Sequence, residues 1–147
     1  MHKINIYNTQ AAVRLRINRA RLQSILKHIL KREGWLSGRY NFVFVDNKDI
    51  RRINRQYLGR NNNTDVIAFT LIDQPGMPTD GVRGEVVISV EEAARQSRKR
   101  HIPLNGEIAL YCIHGLLHLI GYDDLTKSKR IKMEQKQSDY LALWKLK

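Results

Sequence analysis

His114 and His118 stand four residues apart in an apolar run, with Gly121 and then Asp123 and Asp124 just beyond them. On a helix that spacing turns the chain by about 400° and raises it by about 6 Å, so both imidazoles share one face. Neutral imidazole is a good zinc ligand, and two at this spacing can reach one ion. Gly121 lets the chain leave the helix and fold back, so Asp123 or Asp124 can supply a third ligand through a carboxylate oxygen. Two histidines and one carboxylate leave a coordination position for water, whose pKa zinc lowers from ~15.7 to about 7. A lone histidine on an apolar helix is more often a hydrogen-bonded core residue. Two at this spacing with an acid beyond the turn are harder to explain as packing, because burying unpaired imidazoles costs stability.

The same spacing occurs in metallopeptidases, where a glutamate directly after the first histidine is the general base. Here that position is Gly115, which cannot move a proton. A peptidase would have to bring its acid from elsewhere and is disfavoured.

The elements that must position these residues are legible in the periodicity. Ile4 and Ile6 alternate with polar neighbours, as in a half-buried strand, and Val13, Leu15 and Ile17 alternate in the same way as a second short extended piece. Asn18 caps a predicted helix from about Arg19 to Glu33, with Leu22, Ile25, Leu26, Ile29 and Leu30 on one face and Gly34 at its end. Tyr40, Phe42, Phe44 and Val45 mark a strand; Asp46 or Asn47 caps a helix through Ile50, Ile53 and Tyr57 to Gly59. A β-rich run covers Thr64 to Leu71. Two prolines, Gly76 and Gly81 make residues 73–83 a long loop, and Gly84 to Val90 is another strand. Helices follow over about Glu91–Arg100, Asn105–Ile120 and Ser128–Trp144. The middle one is apolar nearly all round, the mark of a buried helix. Four strands mixed with about five helices give one α+β domain over residues 1–147. Its expected architecture is a mixed four-stranded sheet covered by helices, with the metal site at the end of the buried helix.

Composition narrows the function. The net charge is +12, and residues 1–60 carry 14 Lys or Arg against only Glu33, Asp46 and Asp49. The remaining residues are nearly balanced. A basic half beside a neutral one suggests a footprint for a polyanion. No stretch approaches the ~20 apolar residues of a membrane span, and MHKINIYNTQ lacks the apolar region of a secretory signal. Cys112 is the only cysteine, so no intrachain disulfide forms and a cytoplasmic setting is expected. No nucleotide cofactor is expected. His2, His28 and His101 have no partner spacing; Tyr140 and Trp144 suit packing of the last helix; Arg95, Arg98, Lys99 and Arg100 form a basic helix end.

The segment HGLLHLIGYDD, residues 114–124, resembles the signature of the YbeY family of bacterial endoribonucleases, His-Gly-x-Leu-His-Leu-x-Gly-Tyr-Asp-His. Upstream, NTDVIAF (63–69) is similar to the family's Pro-Thr-Asp-Val-Leu-Ser-Phe strand and GEVVIS (84–89) to its Gly-Asp-Ile-x-Ile-Ser strand. Order and spacing agree over almost the whole chain. The resemblance implies a metal-dependent hydrolase of single-stranded RNA that acts on ribosomal RNA, notably the 3′ end of small-subunit RNA, and in ribosome quality control. It also implies zinc on the signature's three histidines, which fall here on His114, His118 and Asp124. The third is a departure, since carboxylate replaces imidazole and makes the ion a weaker Lewis acid. A second departure is Leu58, where the family carries an arginine facing the RNA. Arg60 is the first choice to replace it as catalytic and RNA-binding cation, and Arg55 is the second RNA-binding candidate. Asn61, Asn62 and Asn63 form a polar turn. The rival from another class is a ribosome-associated RNA-binding protein whose metal is structural.

Overall fold

Residues 2–35, 37–59, 64–70 and 82–145 are described by the computed structural model. The alternating Ile4 and Ile6 form β1 (His2–Asn8), and the aromatic run from Tyr40 forms β2 (Gly38–Val45). Between them lies α1 (Arg19–Arg32), whose first turn is capped by Asn18 accepting from the Arg21 amide at 3.0 Å. Asp46 caps α2 (Asn47–Leu58) in the same way, accepting from the Asp49 amide at 2.8 Å. β3 (Val66–Thr70), β4 (Val82–Ser89), α3 (Val90–Arg100), α4 (Leu104–Leu119) and α5 (Lys127–Lys145) complete the order.

One expectation is corrected. Val13, Leu15 and Ile17 lie outside any strand, although all three pack against the core. The reason is local: the Gln10 side chain accepts from the Val13 amide at 2.8 Å and donates to its carbonyl at 2.9 Å. The backbone polarity a strand partner would have satisfied is met three residues away. Of the loop expected over residues 73–83, Val82 and Arg83 belong to β4, and the remainder lies outside the described residues.

The sheet runs β1-β2-β4-β3, with β1, β2 and β4 parallel and β3 antiparallel to β4. Its register aligns Ile6, Phe42, Val86 and Ala68 in one row across all four strands. That row faces the larger core, where α1 and α4 cover the sheet and α5 packs on both. The opposite face holds a smaller cluster of Val45, Ile67 and Val87 under Ile50 of α2. This is the α+β arrangement of a mixed four-stranded sheet with five helices.

α4 is the buried helix, and Gly115 fixes how closely it lies on the sheet. A Cβ at 115 would sit 2.5 Å from Val86 Cγ1 and 2.8 Å from Val66 Cγ1. Only a residue without a side chain permits that approach. Among the described residues, no helix is long and apolar enough to cross a membrane.

Candidate metal centre

The C-terminal half of α4 carries His114 and His118 with ring centroids 4.6 Å apart and planes at 78°. The pair opens onto a cleft of about 550 Å³. Asn54 and Leu58 of α2 form one wall, Thr64, Asp65 and β3 another, and Asp124 closes an edge. Helical spacing puts the imidazoles together, and the intimate seating of Gly115 on β3 and β4 brings them against the strand that lines the cleft.

Each ring has a second contact. His114 Nδ1 lies 2.7 Å from Gln137 Oε1 on α5. An amide oxygen accepts, so Nδ1 carries the proton and Nε2 keeps its lone pair. Burial pulls the pKa of His118 below its ordinary value and neighbouring His114 lowers it further, outweighing Asp124, the Tyr122 backbone and Asp123. His118 is therefore neutral at pH 7, the form that binds metal.

Beyond α4, Gly121 takes φ +109°, a conformation that side-chain-bearing residues rarely adopt, and the chain turns back. The two aspartates then part company. Asp123 accepts from the Leu125 amide at 3.0 Å and pairs with Lys129 at 3.6 Å, away from the histidines. Asp124 is exposed and shares the cleft with them. Among the described residues, no three His, Cys, Asp or Glu side chains converge into a ready metal cage. The donor chemistry nonetheless suits zinc: two imidazoles, one oriented with Nε2 free, and an exposed carboxylate on a turn at the same cleft.

The loop is anchored from below. Glu33, the C-cap of α1, accepts from Tyr122 and Tyr140, each at 2.5 Å, and from Lys136 at 3.2 Å. Burial raises the Glu33 pKa, but these donors and the Lys136 charge outweigh it and the net shift is downward. Burial first, and then the Glu33 carboxylate, push the Tyr122 hydroxyl up to about 12.

The remaining sequence candidates fall as follows. Leu58 lines the cleft, whereas Arg55 is exposed and is not among the lining residues. Arg60 and Asn61, Asn62 and Asn63 lie outside the described residues. His2 bonds the Trp35 carbonyl at 2.8 Å, and His28 meets the edge of Tyr140. Tyr140 and Trp144 are buried. Arg95 of the basic helix end pairs with Glu92. Sequence reasoning missed Gln137, Asn54 and Asp65. It also missed that Glu107, Tyr111, His114 and His118, spaced by four, three and four, form the one polar seam of α4. Glu107 is fully buried and meets Arg100 at 3.4 Å.

The family model described as Endoribonuclease YbeY matches residues 3–145. The chain belongs to the YbeY endoribonuclease family. Among YbeY proteins, that of Syntrophus aciditrophicus is 40% identical over 123 residues, covering 82% of this chain and 74% of its own. That of Desulforamulus reducens is 34% identical over 142 residues, covering 92% and 93%. The solution structure of TM1509 from Thermotoga maritima is similar with a TM-score of 0.64 at 26% identity, over 95% of this chain and 87% of that one. Within the YbeY family signature, Asp124 is the one position of the eleven from 114 to 124 that departs.

Proposed function

We propose that this YbeY-family chain is a zinc-dependent endoribonuclease of the cytoplasm. Its substrate is single-stranded RNA, at the 3′ end of small-subunit ribosomal RNA and in ribosome quality control. The observation that carries the reading is the facing pair His114 and His118, 4.6 Å between centroids, at the mouth of an open cleft. In this reading His114, His118 and Asp124 hold the metal, and Gln137 fixes the ring of His114. Zinc, when bound, supplies a Lewis acid for a phosphoryl oxygen and hydroxide at neutral pH. The chain's own part is to hold the phosphodiester in the cleft and to meet charge developing on its oxygens. Leu58 brings no charge to the cleft wall. Arg60, one residue past Gly59, is the proposed cation, with Arg55 as the second.

The rival, an RNA-binding protein with a structural metal, calls for a closed site, whereas the exposed Asp124 and the open cleft leave room for substrate. A peptidase is disfavoured because Gly115 is pressed against Val66 and Val86 and offers no acid. The test compares zinc-loaded protein on single-stranded, duplex and small-subunit 3′-end precursor RNA. Cleavage of the first and third, slowed by Arg60→Ala at unchanged zinc content, is expected. Binding without cleavage would favour the rival.

A further inference from the structure

Asp124 lines the histidine cleft, and one backbone step away (~3.8 Å) Asp123 lines a separate cavity of about 380 Å³. Trp35, Ile120 and Tyr122 give it apolar and aromatic walls, and Lys129 and Lys132 stand at its rim. Its acids are already engaged. Glu33 accepts from two tyrosines and Lys136, and Asp123 is tied to the Leu125 amide and Lys129. Two donors are left over. The indole N–H of Trp35 is buried with no acceptor among the described residues. Lys132 is exposed, 5.9 Å from the Tyr122 ring, and has no ion pair among the described residues.

We propose that this cavity is a nucleotide subsite, taking one residue of the RNA strand that flanks the bond cut in the histidine cleft. This rests on the RNA-cutting reading of that cleft. A base acceptor, a ring carbonyl or nitrogen, takes the Trp35 N–H; the apolar wall at Ile120 covers the base; the adjoining phosphate meets Lys132. The volume lies at the low end of small-ligand pockets, roughly 300–1,000 Å³, which suits one nucleotide. A bare anion is a poor fit, because Glu33 and Asp123 line the same cavity and repel it. A phosphate is welcome there only when a base anchors it. Aromatic contact with bases beside a cationic track for the backbone is how single strands are held without a sequence code.

The test uses zinc-loaded full-length protein and a 2′-O-methylated oligouridylate of about six nucleotides. The chain has two tryptophans, so their indole N–H signals in a nitrogen-15 spectrum are separable. Trp144, buried with Arg21 4.1 Å over its ring, is the internal control. Titration should move the Trp35 signal and leave that of Trp144 in place. Lys132→Glu, at an exposed position, should leave zinc content, melting temperature and kcat unchanged and raise KM for a single-stranded oligoribonucleotide by about 10-fold. Trp35→Phe, which keeps a ring and removes the N–H, should raise KM in the same direction. Cleavage by the unaltered protein with an unmoved Trp35 signal, or an unchanged KM in Lys132→Glu, overturns the subsite and leaves the proposed function standing. Absence of cleavage with a moved Trp35 signal overturns the enzyme and leaves a nucleotide-binding cavity.

Discussion

Gln137 lies 23 residues from His114 along the chain and 2.7 Å from it in space. Its amide decides which imidazole nitrogen carries the proton, and partners of this kind contribute about 10–100-fold to metal affinity. Gln137→Leu should therefore weaken zinc binding by about that factor while leaving the fold intact, measured by competition with a chromophoric chelator. Unchanged affinity would show that the contact does not orient the ring. At this scale the sequence was informative only where spacing along one element brings residues together. His114 and His118 follow from helical periodicity, and the Gly121 turn narrows the third donor to two aspartates. Gln137, Asn54 and Asp65 reach the histidines from α5, from α2 and from the approach to β3. Their relation to α4 exists only after tertiary packing.

The elements were mostly legible because each has a local signal: Asn18 and Asp46 cap, hydrophobic faces repeat, and α4 is apolar nearly all round. The extended piece at Val13–Ile17 misled because alternation reports burial, and Gln10 satisfied the backbone by another route. The fit of Gly115 onto β3 and β4 was also invisible, since a glycine in a helix carries no pattern. Gly115→Ala gains about 1 kcal/mol of helix propensity, but its Cβ meets two β-branched core residues, and such overpacking costs about 1–3 kcal/mol. The expected outcome is a net loss of stability in denaturant unfolding, with weaker zinc binding as α4 is pushed from the sheet. A variant more stable than the parent would contradict this packing. Glu33 links α1 to the loop after α4 and to α5. Glu33→Gln should cost about 1.5–3 kcal/mol near neutral pH, the range for hydrogen bonds to a charged group. The folded pKa of Glu33 is lowered, so its contribution is fully present above the ordinary value of 4.5 and is lost as pH falls through the lower folded value. Unfolding curves of parent and variant should converge with acidification. A stability gap that persists below that range would assign the effect to shape alone.

Across the whole molecule, counting charge by halves of the sequence concealed where cations stand relative to the site. The first half holds most of the excess, yet Lys127, Lys129, Arg130 and Lys132 open α5 as exposed residues directly after the Asp124 turn. They belong to the nearly neutral half because acids elsewhere in it cancel them in the sum. The fold thus sets a basic helix face beside the turn at the histidine cleft, where an RNA strand entering either depression would meet it. The central claim is that cleavage depends on zinc held by His114, His118 and Asp124. Its most direct test measures zinc content and cleavage of a single-stranded oligoribonucleotide on the same samples. Those samples are the parent protein, the parent stripped by chelator and then restored with zinc, His118→Ala, and Asp124→Ala beside Asp124→His. The account predicts roughly one zinc per chain, activity that leaves and returns with it, loss of both in His118→Ala, weakening in Asp124→Ala and retention in Asp124→His. Full cleavage by stripped protein, or by His118→Ala without zinc, would contradict it.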